Sequence, residues 1–423
     1  AAFWASMQTA PAALEQPAMV HAPGVIARHG AAAVLAALIW QSTSVRAAAT
    51  AELKIGLLSK QSTESWLLES WSQFKLAIRD VNADAVLLPG HPLTPVAEDT
   101  EDSPVAALRS AGRLLANGVV AVIGIGDDGL LARADAYCLL QAVPMLTLGP
   151  TWTAPGGGAE HPFLFRALPS PASQVRAMAV LVYELGWRLC AAIADAELWR
   201  GAGPVLLGAL QALGVEAWSF TYPSPRDADG RRSLDQALLR AAGSGPRIMV
   251  LLAKPADGQR LHESSTAAGL RGAERCWLIT QEACVGGWSN STDVLVAARS
   301  GSTSNALAAA FRARWASVAT RYDEAHHGPF DPGTKLPLYN ASSDTIWDSP
   351  GDGLPDVHGM HVYDTVYALA RAMHAVLAAG GGAANGTSLR DALLDVAHRG
   401  VTGDFAFRRP TQDRWVPVEL LLT

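Results

Sequence analysis

Charged residues are scarce. Asp, Glu, Lys and Arg make up 17% of the 423 residues, against about 25% in a typical soluble protein. There is no cationic excess either: 33 basic residues face 39 acidic ones, for a formal net charge of −6. Nothing therefore draws the chain as a whole to nucleic acid, whose binding rests on clustered cations. Lysine is rarer still, with 5 Lys against 28 Arg; with abundant Ala and Gly, this points to genomic base composition rather than function. The four cysteines (Cys138, Cys190, Cys276, Cys284) are too few for a disulfide-built scaffold. None stands in C-x-x-C, which excludes a zinc ribbon or thioredoxin motif. Cys276 and Cys284 either close a short loop or remain two half-buried thiols. Neither G-x-S-x-G nor H-E-x-x-H occurs. After the first fifty residues, no apolar run approaches the ~20 residues that span a bilayer.

What is present is a core-forming chain, 49% hydrophobic. At about 100–200 residues per domain, its length predicts two to three domains. From Met19 onward, Arg28 and His29 precede an apolar run from Ala31 to Trp40, then Ala47-Ala48-Ala49. That order reads as a secretory signal with an A-x-A cleavage site, so residues 1–51 are expected to be a signal peptide and upstream segment. The competing reading is an Ala-rich helix of the folded protein. Three of the six asparagines (Asn290, Asn340, Asn385) begin N-x-S/T, and such sequons need exposed loops in a secretory compartment. An extracellular glycoprotein is expected.

The main body alternates strands and helices. Leu53–Leu58 is a buried-strand run, and Trp66–Val81 carries Trp71, Phe74, Ala77, Ile78 and Val81 at helical spacing. A weaker strand at His91–Val96, a helix at Val105–Asn117, a strand at Val119–Ile123, a helix at Leu130–Gln141 and a strand at Val143–Leu148 come next. Near-continuous apolar strands between helices mean a parallel sheet covered on both faces. After Pro169 the pattern restarts, with strands at 189–194, 217–222, 247–252 and 276–280 and helices between them. A long helix, Asn305–Glu324, carries Phe311, Trp315 and Tyr322 on one stripe as core packing. His327–Val357, rich in Gly, Pro and Asp, is expected to be a disordered surface insertion. Helices at Met360–Ala379 and Leu389–His398 lead to Asp404–Leu422, whose alternation predicts a hairpin.

Several segments, in this order, resemble one family. They are the helix Phe74–Asn82, Gly118–Gly124, Val143-Pro144-Met145-Leu146-Thr147, His161–Arg166 with Pro169-Ser170 and Gln174, Leu185-Gly186-Trp187, Tyr363–Ala370, and Gly400–Phe407. Together they are similar to the type I periplasmic-binding fold of class C, natriuretic-peptide-type and glutamate-type receptor ligand-binding regions. The resemblance implies an α/β fold class: two doubly wound parallel-sheet lobes with an interlobe cleft and a hinge. One lobe would be 53–168 plus 289–398, the other 169–288 plus 399–423. It implies a non-enzymatic module that closes on a small molecule and signals by closure. It also implies a homo- or heterodimer, and attachment to the cell membrane only through a segment beyond Thr423. A secreted solute-binding protein of a transporter is the alternative.

In parallel sheets, ligands bind beyond the carboxyl ends of strands. That rule nominates Ser59, Gly126, Asp127, Asp128, Thr147 and Gly149 in the first lobe, and Trp199, Lys254 and Glu282 in the second. Family amino-acid binders capture a carboxylate with backbone N–H groups at the helix following Gly124. Here Asp127 and Asp128 stand there, repelling an anion or capping the helix. With Trp199 where an aromatic is expected and Glu282 in place of a family Asp that holds an amine, a cationic, amine-bearing or neutral ligand fits better than glutamate, and a non-binding partner subunit is the alternative. Gly124, Gly126 and Gly129 form a nominal dinucleotide fingerprint, yet the two aspartates would face the pyrophosphate and no acid follows the next strand for the ribose. No cofactor is expected, and an NAD-dependent or secreted enzyme is the least favoured reading. His326-His327 and the His358–His361 pair are expected to be surface histidines rather than metal ligands.

Overall fold

The computed structural model describes residues 52–59, 65–101, 103–124, 128–148, 160–168, 171–223, 228–253, 257–272, 274–280, 294–300, 305–321, 346–348, 357–409, 411–414 and 418–422. The expected signal segment lies outside them. So do Asn290, Asn340, Cys284, Tyr322, His326 and His327.

The first half supplies β1 (Leu53–Ser59), α1 (Ser65–Ala83), β2 (Leu93–Asp99), α2 (Pro104–Ala116), β3 (Ala121–Gly124), α3 (Asp128–Leu140), β4 (Met145–Thr147) and β5 (Leu164–Arg166). Strands β1 to β5 pair in parallel in the order 2-1-3-4-5. Alternating strand residues serve two cores, as the period of two requires. Ile55, Leu57, Ile123 and Leu146 face α1 and two later helices. Leu58, Val122, Met145 and Leu164 face α2 and α3. Each fully buried Leu or Ile contributes about 1.5–3 kcal/mol relative to exposure.

The chain then builds α4 (Pro171–Glu184), β6 (Leu189–Asp195), α5 (Ala196–Ala212), β7 (Glu216–Tyr222), α6 (Ala228–Ser244), β8 (Ile248–Leu252), α7 (Gly258–Ala267), β9 (Cys276–Thr280) and β10 (Val294–Ser300). Strands β6 to β10 repeat the order, with β7 at one edge followed by β6, β8, β9 and β10. Two cores again sandwich the sheet. Ala192, Val250 and Leu278 face α4 and α5, and Ile193, Leu251 and Trp277 face α6 and α7. Trp277 is fully buried, and its indole N–H donates to Leu270 O at 3.1 Å. Both sheets are thus doubly wound, as expected.

The remaining elements are α8 (Ala306–Val318), β11 (Ala319–Arg321), β12 (Ile346–Asp348), α9 (Val357–Ala378), α10 (Gly386–Asp395), β13 (Ala397–Gly400), β14 (Gly403–Arg408), β15 (Asp413–Arg414) and β16 (Val418–Leu422). Phe311 and Trp315 of α8 are buried against Leu76 and Met360, as core packing predicts. That helix stops at Val318 rather than Glu324; β-branched Val318 and Thr320 disfavour its continuation. Within the expected insertion at 327–357, β12 pairs in parallel with β11 and Val357 opens α9. The rest of it lies outside the described residues.

The expected hairpin at 404–422 forms only in its first part, between β14 and β15, and the last strand leaves it. β14 pairs with β13 and β15 on the far edge of the first sheet, whereas β16 pairs antiparallel with β10 in the second. Setting aside the two-stranded β11–β12 sheet, the strands pass between the two large sheets three times, after β5, after β10 and after β15. They do so at positions other than the expected lobe boundaries: 294–300 belongs with the second sheet and 397–414 with the first. The reason is packing. Phe405 and Phe407 bury in the first core, with Phe407 edge-on to Phe165 at 4.9 Å between ring centroids.

Candidate functional site

An open parallel sheet binds ligands where its strand order reverses, outside the carboxyl ends. The two reversals here lie between β1 and β3 and between β6 and β8. The register shows what the fold gathers at each.

At the first reversal, Leu58 stands opposite Gly124, and Ser59 opposite Asp99 at the end of β2. Paired strands lie about 4.8 Å apart, so Ser59, Asp99 and Gly124 share one edge. Ser59 is half-buried, and its carbonyl accepts from Thr100 N at 3.1 Å. Asp99 is buried and accepts from Glu101 N at 2.8 Å. Gly124 has φ +135°, and a Cβ there would lie 1.9 Å from the Leu58 carbonyl oxygen. The glycine that opens the nominal dinucleotide fingerprint is therefore required by strand packing, without any nucleotide. Thr147 ends β4, fully buried, with its carbonyl accepting from Ala167 N at 3.0 Å. Asp128 opens α3. Gly126, Asp127 and Gly149 lie outside the described residues, as does the side chain of Asp128.

At the second reversal, Trp199 sits in the first turn of α5, half-buried against the core of that lobe. Its indole covers Gly203, where a Cβ would come within 2.4 Å of the ring. The helix begins six residues earlier than the sequence suggested, with Pro204 inside it. Asp195 accepts from Leu198 N at 3.2 Å and so caps the early start. Lys254 and Glu282 lie outside the described residues.

Sequence reasoning missed three buried polar residues at this edge: Asp195, Tyr222 and Asp257. Asp195 pairs in register with Tyr222 at the ends of β6 and β7. Burial first, then the neighbouring Asp257 and Asp195 carboxylates, push the Tyr222 hydroxyl well above its ordinary value. Among the described residues that hydroxyl has no hydrogen-bond partner. A signal was available: Asp195 is the first charged residue after the apolar run of β6, and Tyr222 closes β7.

Several buried polar groups elsewhere hold the fold together. His361 is buried rather than on the surface, and its Nδ1 accepts from Arg414 Nη1 at 2.8 Å. The side chain of His358 is not among those described. Tyr363 donates to Asp80 Oδ2 at 2.8 Å, and Arg314 pairs with the same carboxylate, which ties α8, α9 and α1 together. Cys138, Cys190 and Cys276 are free and buried, with burial pushing each thiol up. Among the described residues, no group of three His, Cys, Asp or Glu side chains is placed to hold a metal, and no helix is long and apolar enough to cross a membrane.

The family model described as "Receptor family ligand binding region" matches residues 73–415. Glutamate receptor 3.4 of Arabidopsis thaliana is 24% identical over 71% of this chain and 29% of its own length. Taste receptor type 1 member 3 of Homo sapiens is 27% identical over 42% of this chain and 23% of its own. Metabotropic glutamate receptor-like protein E of Dictyostelium discoideum is 22% identical over 69% and 34%. The chain thus spans about a quarter to a third of the length of these relatives. Among solved structures, an ABC transporter substrate-binding protein from Desulfitobacterium hafniense, in complex with Leu, superposes with a TM-score of 0.65. It is 15% identical and covers 88% of this chain and 97% of its own, a likeness of fold.

Proposed function

The chain belongs to the receptor-family ligand-binding regions, and from that premise we propose that it is an extracellular module that closes on a small, amine-bearing molecule without transforming it. The observation that carries the reading is the repeated strand order. Each sheet has one reversal, and each reversal edge carries nominated residues: Ser59 and Asp128 on one, Trp199 on the other. A ligand bridging the two edges would favour closure by its greater affinity for the closed state.

The amine preference rests on acids. Asp99, Asp195 and Asp257 lie buried at or just beyond carboxyl ends. Asp127, Asp128 and Glu282 come after strands in sequence, and carboxylates favour an ammonium group through charge-assisted hydrogen bonds. Asn385 is exposed at the start of α10, and its Oδ1 accepts from Ser388 N at 3.1 Å. The amide nitrogen, the atom a glycan would take, is not the capping atom, which supports the extracellular placement. The solute-binding reading shares the fold and the closing motion, and differs in delivering its ligand to a transporter instead of signalling.

The test is a panel of amines, amino acids and uncharged analogues scored by melting temperature on the full chain. A ligand at 100 times its Kd stabilises by about 2.7 kcal/mol. Amines that raise the melting temperature in wild type and lose the effect in Trp199→Ala support the proposal. A response confined to carboxylates without an amine would overturn the amine preference.

A further inference from the structure

A cavity of about 680 Å³ lies at the wrong end of the second sheet for that ligand. It is lined by Gly186-Trp187-Arg188-Leu189, by Gly245–Ile248, and by Glu274-Arg275-Cys276. These segments enter β6, β8 and β9, so the cavity sits at the amino ends of the strands, and the reversal edge lies at their carboxyl ends. Strands of five to seven residues separate the two by about 13–20 Å at 3.3 Å per residue.

Three arginines and one glutamate line it, a surplus of positive charge in a chain of net −6. Two of the guanidiniums are held in place. Arg188 Nη1 donates to the carbonyls of Tyr183 and Trp187 at 3.0 and 3.1 Å, and the group lies 4.6 Å from the Tyr183 ring centroid. Arg275 Nη1 donates to Pro246 O at 3.0 Å. A guanidinium carries five N–H donors, so each retains donors beyond its anchoring bonds. Arg247 faces Glu274 at 3.8 Å, with both side chains mostly exposed. That loose pair holds little energy for an incoming anion to displace. Trp187, Ile248 and Cys276 supply an apolar floor. Burial pushes the Cys276 thiol up to about 11, so it adds no negative charge at neutral pH.

Guanidiniums anchored in advance beside an apolar floor bind carboxylate or phosphate oxygens with little ordering cost. We propose that this cavity is a second binding site, separate from the reversal edges, for a small polyanion bearing two or more phosphate or carboxylate groups.

The test is calorimetric titration of the full chain with inorganic pyrophosphate, and in parallel with citrate, at low ionic strength. Saturable binding of at least one probe is expected, with Kd below about 1 mM. Arg188→Gln with Arg247→Gln should weaken it at least about tenfold. Glu274→Gln should tighten it severalfold, a gain that misfolding cannot produce. Trp199→Phe, at the other end of the sheet, should leave it unchanged. No saturable heat with either probe up to about 10 mM, or arginine variants that bind like wild type, would overturn the proposal.

Discussion

Replacing Asp364 by alanine should cost about 4 kcal/mol of stability at pH 7. The carboxylate, on α9, is 1% exposed and receives Val401 N and Thr402 N at 2.8 Å each, together with the Thr402 hydroxyl. Arg414, 2% exposed, lies 3.7 Å away as its counter-charge. The guanidinium also donates to His361, to Thr402 Oγ1 and to Asp404 O, and lies 4.3 Å from the Phe405 ring centroid. Burial pushes the carboxyl up, and the Arg414 charge and the accepted hydrogen bonds oppose it. Alanine orphans two buried N–H groups and leaves a buried cation without its anion, which alone costs about 3–5 kcal/mol. Over a lobe of roughly 200 residues, 4 kcal/mol lowers the melting temperature by about 8–16 °C. Urea denaturation measures the loss. Adding Arg414→Met should return about 1–2 kcal/mol, because the unpaired charge is then gone. A single variant within 1 kcal/mol of wild type, or a double variant equal to the sum of the singles, would refute the reasoning.

Acid sensitivity should trace in part to His398. Burial, then the Arg371 and Arg414 charges, push its imidazole down to about 4, and neither ring nitrogen has a hydrogen-bond partner among the described residues. The unfolded chain takes up the proton near pH 6.5 and the folded one only near 4, so stability is complete above 6.5 and falls by up to about 3 kcal/mol as pH drops to 4. His398→Phe, which keeps the stack on Phe405, should remove that component, and a pH-independent difference from wild type would contradict it. Gly124→Ala should cost at least about 3 kcal/mol through strain plus the clash with the Leu58 carbonyl. Gly118→Ala, at φ +75° with nothing within 4 Å, should cost only about 1–2 kcal/mol; equal losses in denaturation would refute the contact argument. On α2 and α3, Val105 and Leu140 are 67% and 77% exposed, with Leu108 and Tyr137 also exposed. If the chain pairs through this face, light scattering should give twice the chain mass, and Val105→Glu with Leu140→Glu should give the monomer. A monomeric wild type at tens of micromolar would dismiss the pairing.

Long apolar strands were legible in the sequence because burial on both faces leaves them nearly free of polar residues, as in β1 and β6. Strands whose existence depends on a distant partner were not. β5 has three residues, and β10 comes after a polar stretch. Phe405 and Phe407, then Trp415, Val416 and Val418, alternate as in a hairpin, yet β14 turns back only to the short β15 while β16 joins the other sheet. Pairing of that kind is decided by which core each strand covers. The burial of His361 was equally hidden, because its partner Arg414 lies 53 residues away. Strand ends nominated Ser59, Thr147 and Trp199, and the fold puts the first two at strand ends and Trp199 in the first turn of α5. Asp195 and Tyr222 are hard to read there because a polar residue that closes a strand looks in sequence like the start of the next loop or like an ordinary strand residue.

Small-angle scattering on the full chain, with and without a ligand drawn from the amine panel, tests the central claim most directly. A saturating ligand should reduce the radius of gyration, and Trp199→Ala should abolish the change at the same ligand concentration. A ligand that binds at saturation and leaves the scattering curve unaltered would contradict closure.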